Sequence, residues 1–160
     1  MRIEGSYKIS ATRDAVWQGL MNPEVLGRAL PGCAKLERNG DGSYHAEMSV
    51  GIAAVKGTYH GHIEILEGVP PERFRLRVEG KGASGFLKGE GVLTLADSDP
   101  ETIVTYSGEA HVGGIIASVG QRLILGAARQ IVNRFFEAFA KQFQKTPSPT
   151  DTPAPTVPQP

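Results

Sequence analysis

Alternation of apolar and polar residues with a period of two runs through most of the first 113 residues and predicts β-strands. The opening segment alternates through Ile3, Tyr7 and Ile9. The stretch 33–113 is divided into further alternating runs by turn residues, of which 39–42 (Asn-Gly-Asp-Gly) are the clearest. Successive strands joined by short turns pair antiparallel, so we expect a first strand followed later by a six-stranded meander.

Two short helices are predicted between the first strand and the meander. Thr12 suits an N-cap before an apolar helical pattern, and Asn22 followed by Pro23 is an N-cap with proline in the first helical position. The Pro-Gly pair at 31–32 ends the second helix.

The sequence around Val55-Lys56 predicts a hairpin with its own register. A two-residue turn there pairs Ile52 with Tyr59 and places the apolar residues of both strands on one face. In this register Ser49 lies opposite His62. The opposite, polar face carries His45, Glu47, Ser49, His60, His62 and Glu64.

Apolar or small residues recur at helical spacing from 115 to 143 and predict one long C-terminal helix of about 28 residues, ~42 Å in length. Its inner stripe is graded by size. The first half offers Gly120, Leu123 and Ala127, whereas the second half offers four phenylalanines between 135 and 143.

This order of elements predicts an α+β fold in which a curved, antiparallel, seven-stranded sheet surrounds one long helix. Inward glycines at 61, 89, 91 and 108 face Gly120 on the helix and favour a cavity between the two. Glycines that permit sheet curvature are the alternative explanation.

The inward positions of the strands and the helix predict the wall of an apolar ligand-binding cavity, with tyrosine hydroxyls to orient a polar end of the ligand. The predicted wall consists of Ile52, Tyr59, Ile63, Phe74, Leu76, Leu93, Tyr106, Val112, Ile116, Val119, Gly120 and Leu123. The predicted mouth, which would contact a membrane or a partner, consists of Gly85, Phe86, Leu87, Gly114 and Ile115.

Composition narrows the function classes. The 160 residues carry 17 basic and 17 acidic side chains, which disfavours a nucleic-acid partner. The chain has a single cysteine, Cys33, which excludes an internal disulfide. The N-terminus lacks the apolar segment of a signal peptide, so a cytoplasmic location is expected. Six of the 11 prolines lie in 146–160, which predicts a disordered tail after a folded domain of residues 1–145.

Sequence patterns typical of other functions lack the required context. Residues 80–85 match G-x-G-x-x-G, but a strand rather than a helix follows, which argues against a nucleotide site. His60 and His62 share the polar face with no third ligand expected nearby, since the predicted register puts His45 roughly 13 Å from His62. We therefore predict no metal site.

Several stretches resemble the CoxG family, the G-subunit family of carbon monoxide dehydrogenase, within the helix-grip superfamily that includes START lipid-transfer domains and polyketide cyclases. These stretches are 17–33 ending in LPGC, the hairpin GIAAVKGTYHGHIEI, the strand pair GKGASGFLKGEGVLTL, and TYSGEAHVGGIIASVGQRLI followed by FFEAF. Together they cover nearly all of residues 1–143.

The resemblance implies an accessory protein of a soluble molybdenum enzyme, carbon monoxide dehydrogenase, that attaches this enzyme to the inner face of the cytoplasmic membrane. Such relatives often carry a C-terminal hydrophobic anchor after a Pro/Ala-rich linker; either this member lacks one or it follows Pro160. Together with the cavity, this predicts a non-catalytic carrier of a quinone or lipid, with no covalent cofactor.

Two other functions are compatible with the same sequence pattern. One is a docking adaptor that transfers no ligand. The other is a cyclase-like enzyme, for which the candidate acid–base groups are Tyr59 and Tyr106 in the cavity and Glu109 and His111 at the end of a strand.

Overall fold

The computed structural model describes residues 1–144 and has the predicted architecture, an antiparallel seven-stranded sheet with three helices. The predicted tail, 146–160, lies outside the described residues. The strands are β1 (Arg2–Ile9), β2 (Cys33–Arg38), β3 (Tyr44–Val50), β4 (Gly57–Val69), β5 (Arg73–Gly82), β6 (Gly85–Ser98) and β7 (Glu101–Gly113), in the spatial order β1-β7-β6-β5-β4-β3-β2. The helices are α1 (Arg13–Leu20), α2 (Pro23–Ala29) and α3 (Gln121–Gln144).

Both short helices begin at the predicted N-caps. The Thr12 hydroxyl accepts a hydrogen bond from the Ala15 amide at 3.2 Å, and the Asn22 side chain accepts one from the Glu24 amide at 2.9 Å. Each bond satisfies an amide that has no partner within the helix.

The C-terminal helix is shorter than predicted, because the chain bends at two glycines before it. Gly114 and Gly120 have φ values of +88° and +97°, in the left-handed region that side chains other than glycine rarely adopt. Between them, Ile115–Val119 form a separate 3₁₀ turn, which we call the β7–α3 turn. The period of apolar residues continues through these glycines, and for this reason the pattern alone merged the turn with α3.

The predicted hairpin register is wrong by four residues. Observed partners are Met48 with Tyr59 and Ala46 with Gly61, because Ala53–Val55 form a 3₁₀ turn that lengthens the connection. We call this segment the β3–β4 turn. Ile52 lies in the connection and has no partner in the sheet. A shift of four preserves the alternation of faces, so the apolar and polar sides are as predicted.

The solid core occupies one end of the space between the sheet and α3. There Phe136 and Phe139, both nearly inaccessible to solvent, pack with Trp17 of α1 and Phe74 of β5. Trp17 and Phe74 meet edge to face, with ring centroids 5.4 Å apart. The large aromatic residues of α3 therefore fill this end of the space, and none of them extends into the other end.

Candidate functional site

An apolar cavity of about 360 Å³ lies at the other end of the space between the sheet and α3. Ligand pockets in proteins typically enclose roughly 300–1,000 Å³. The wall is almost entirely aliphatic and aromatic, and is formed by Leu30, Ala46, Met48, Val50, Val55, Tyr59, Gly61, Ile63, Val78, Glu79, Gly80, Phe86, Leu87, Val112, Ile116, Ile124, Ala127, Ala128 and Ile131.

The cavity exists where α3 carries small or aliphatic side chains. Ile124, Ala127, Ala128 and Ile131 face it, whereas the phenylalanines begin only at residue 135. The predicted gradation of size along α3 is therefore correct, although Ile124 takes the place expected for Leu123. This gradation decides which end of the fold is filled and which is open.

The inward glycines have two different surroundings. Gly61 lines the cavity together with Gly80, where a Cβ atom would meet nothing within 4 Å. At Gly91 and Gly108, by contrast, a Cβ atom would approach a carbonyl oxygen of the neighbouring strand to 3.0 and 2.8 Å. Gly89, at 3.0 Å from such an oxygen, is like these two, so a side chain at any of the three positions would crowd the neighbouring strand.

Three turns meet at one end of the cavity, which we call the turn end. The Tyr59 hydroxyl donates a hydrogen bond to the Val55 carbonyl at 2.7 Å and lies 3.4 Å from the Ser84 hydroxyl. The Ile116 amide donates to the Ser84 carbonyl at 2.7 Å. The β3–β4 turn, the β5–β6 turn and the β7–α3 turn are thereby connected, and Tyr59 places a hydroxyl group in an otherwise apolar wall.

The turn end also exposes apolar side chains. In the β7–α3 turn Ile116 points inward and is 9% exposed, while its neighbour Ile115 is 74% exposed. Together with Lys81 and Lys88, Phe86 and Ile115 line a surface groove beside the cavity. We call the four exposed apolar residues of β6, the β7–α3 turn and the start of α3 the apolar rim: Phe86 (43%), Ile115 (74%), Val119 (37%) and Leu123 (54%).

The structure brings only part of the predicted wall together. Tyr59, Ile63, Val112 and Ile116 line the cavity, as do Phe86 and Leu87 of the predicted mouth. Gly85, Gly114 and Ile115 border the adjacent groove instead. That these residues contact a ligand stays a prediction.

The remaining predicted wall residues lie elsewhere. Phe74 is buried in the solid core, and Leu76, Leu93 and Tyr106 pack against it. Ile52 is in the β3–β4 connection, Val119 and Leu123 face solvent, and Gly120 is the bend before α3. The strand residues among them do face inward, as predicted. The sequence pattern does not show, however, which inward positions are filled by the phenylalanines of α3.

Sequence reasoning missed the contribution of β3 and of the loop after α2. Ala46, Met48 and Leu30 line the cavity but were not among the predicted wall residues. The alternation of β3 placed Ala46 and Met48 on the apolar face, so the sequence contained enough information to include both in the predicted wall. Leu30 follows a helix and carries no such signal.

The candidate acid–base groups are not brought together. Tyr59 is at the turn end, whereas the Tyr106 ring stacks on Phe136, 5.4 Å between centroids. Glu109 lies on the outer face of the sheet and pairs with Arg2 at 3.3 Å, and His111 borders a groove on that same face. Ser49 pairs with Thr58 rather than with His62. No two of these groups share the cavity.

A carboxyl group with a lowered pKa lies away from the cavity. In the β2–β3 connection, hydrogen bonds from the hydroxyl and the amide of Ser43 hold the pKa of the fully exposed Asp41 carboxyl below its ordinary value. This arrangement stabilises a turn and involves no cavity residue.

Comparison with known proteins identifies the family. The family model described as the G subunit of carbon monoxide dehydrogenase (CoxG) matches residues 5–144. The chain belongs to this family. CoxG is a family of accessory subunits, named for carbon monoxide dehydrogenase. No curated protein has a significant sequence match to the chain.

Solved structures agree with this family's START-like fold. A conserved protein from Geobacillus kaustophilus is 38% identical, with 91% of this chain and 97% of that chain aligned and a TM-score of 0.88. A START superfamily protein from Mycobacterium smegmatis is 10% identical over 91% and 99% of the two chains, with a TM-score of 0.70, and shares the fold. Among residues 1–144, no helix is long and apolar enough to cross a membrane.

Proposed function

We propose that this CoxG family protein carries a long apolar ligand with one polar end, such as a quinone or an isoprenoid lipid. It would take this ligand from the inner face of the cytoplasmic membrane to a carbon monoxide dehydrogenase and back, and act as a carrier rather than as a catalyst. The observation that carries the proposal is the apolar cavity of about 360 Å³ with the Tyr59 hydroxyl at its turn end.

Burial against an apolar wall can supply the binding free energy of such a ligand. Burial of about ten methylene groups at ~0.8 kcal/mol each supplies ~8 kcal/mol without any charged contact. This corresponds to a dissociation constant of about 1 µM before the costs of immobilising the ligand. The polar end would remain near the Tyr59 hydroxyl, which already donates its proton to the Val55 carbonyl and can still accept a hydrogen bond.

The turn end is the proposed route of entry. Phe86 and Ile115 of the apolar rim lie at this end, and Lys81 and Lys88 lie beside them in the adjacent groove. Exposed apolar side chains flanked by lysines are typical of surfaces that contact anionic lipid headgroups. The ligand would pass from the bilayer to the cavity without crossing water.

The experiment that tests the proposal is native mass spectrometry of the purified protein, followed by solvent extraction and ultraviolet spectroscopy of the released material. A bound species with a quinone spectrum supports a carrier. A ligand-free mass that stays unchanged after incubation with quinones contradicts it. In that case, binding to the dehydrogenase independent of lipid would indicate a docking adaptor without ligand transfer.

A further inference from the structure

The outer face of the β3–β4 hairpin carries a compact block of metal-ligating side chains. The observed register pairs His45 with His62 and Glu47 with His60. The predicted separation of roughly 13 Å between His45 and His62 is therefore wrong, since a longer turn brings them directly opposite one another. All four side chains lie on the sheet face opposite the cavity.

Three of these side chains converge. The rings of His45 and His60 stack with centroids 5.8 Å apart and planes inclined by 24°. One ligating atom from each of His45, Glu47 and His60 can be chosen so that all three lie within 4.8 Å of one another. Ligands bound at ~2.1 Å to one tetrahedral zinc ion lie ~3.4 Å apart, so side-chain rotations that bring the three atoms up to about 1.4 Å closer would complete the site.

These ligands are free to bind. Within residues 1–144, no hydrogen bond or ion pair engages the side chains of His45, Glu47 or His60. Lys35, the strand partner of Glu47, is itself paired with Glu37 at 3.6 Å. The Glu47 carboxylate therefore keeps its full capacity to bind a cation.

We propose that His45, Glu47 and His60 form a binding site for a divalent transition-metal ion. Two imidazoles and one carboxylate suit zinc, nickel, cobalt or copper, whereas magnesium and calcium prefer oxygen ligands. Three protein ligands on an open sheet face leave at least one coordination position to water. The site lies on the sheet face opposite the proposed ligand cavity. Metal binding there does not require that the cavity holds a ligand.

The location of the site couples it to the cavity wall. His60 lies between Tyr59 and Gly61 on β4, and both of these line the cavity, as does Ala46 on β3. A bound ion would join β3 to β4 across the outer face and so rigidify one wall of the cavity. Because the unfolded chain does not hold the three ligands together, the ion also stabilises the fold.

The test uses the full chain without any affinity tag, titrated by calorimetry with zinc, nickel, cobalt or magnesium salts. The expected result is one transition-metal ion per chain, no response to magnesium, and a rise in melting temperature with zinc. His60→Ala, His45→Ala and Glu47→Gln should each weaken binding at least tenfold. His62→Ala, on the same face, is the matched control and should weaken it less than threefold.

Two results would overturn the proposal. One is an absence of stoichiometric binding by the wild-type protein. The other is equal weakening by His62→Ala and His60→Ala, which would show non-specific association with the histidine-rich face rather than this ligand set. All four positions are exposed or half-buried, so the variants should fold, and circular dichroism confirms that they do.

Discussion

The ring of Tyr106 stacks on the ring of Phe136, with 5.4 Å between centroids and 19° between planes. Phe136 also stacks on Tyr7 of β1, with centroids 5.6 Å apart. These contacts join β1 and β7 to the C-terminal half of α3 and fill that end of the space below the sheet. The cavity is confined to the end where α3 carries no aromatic side chain.

Replacement of Phe136 should therefore reduce stability strongly. Phe136→Ala removes a buried ring from between two tyrosines and should lower the free energy of unfolding by about 3–5 kcal/mol. Urea unfolding measures this change. Phe86→Ala, at an exposed phenylalanine of the apolar rim, is the control and should cost about 1 kcal/mol or less. Equal losses in both variants would contradict the assignment of the solid core.

Filling the cavity should block ligand binding without unfolding the protein. In Gly80→Leu, the new side chain would project into space where a Cβ atom has no neighbour within 4 Å. We expect at least a tenfold loss of affinity for a fluorescent apolar probe. Gly40→Leu, in the β2–β3 connection where space is also open, is the matched control and should bind as wild type. Unchanged binding by Gly80→Leu would exclude this cavity as the ligand site.

The Tyr59 hydroxyl should secure the β3–β4 turn at the turn end. Tyr59→Phe removes its 2.7 Å hydrogen bond to the Val55 carbonyl and should cost about 0.5–1.5 kcal/mol. Hydrogen exchange in residues 53–57 should accelerate, and the off-rate of a bound ligand should rise. Tyr7→Phe serves for comparison, because the Tyr7 hydroxyl has no hydrogen bond within residues 1–144. Identical exchange in the two variants would show that the bond does not hold the turn.

The apolar rim should determine association with lipid vesicles. Ile115→Asp places a charge at the most exposed of these residues and should reduce co-sedimentation with anionic vesicles several-fold. Val69→Asp changes an exposed valine at the opposite end of β4 from the turn end and should have no effect. If both variants bind vesicles as the wild-type protein does, the proposal that the apolar rim contacts the membrane is wrong.

The amino-acid sequence was sufficient for the architecture because local signals specified it. The N-caps at Thr12 and Asn22 were recognisable from the residue type and its spacing, and alternation identified the inner face of each strand. The face assignment of β3 and β4 survived a register error of four residues, because side chains alternate with a period of two.

The site was predicted less completely, since its limits depend on contacts between distant segments. Tyr106 and Ile63 have equivalent inward positions in the sequence pattern, yet Tyr106 meets Phe136 and Ile63 faces open space. The convergence of His45 with His60 likewise depends on the length of the β3–β4 turn. A sequence pattern gives the direction of a side chain but not what lies opposite it.

The sequence by itself determined the order of the elements, the inner and outer faces of the sheet and the gradation of side-chain size along α3. The tertiary structure decided how far α3 extends, which inward residues it covers, and which polar residues meet on the outer face. The physical reason is that backbone propensity and side-chain alternation act over a few residues. Packing volume and strand register are instead set by residues far apart in the chain.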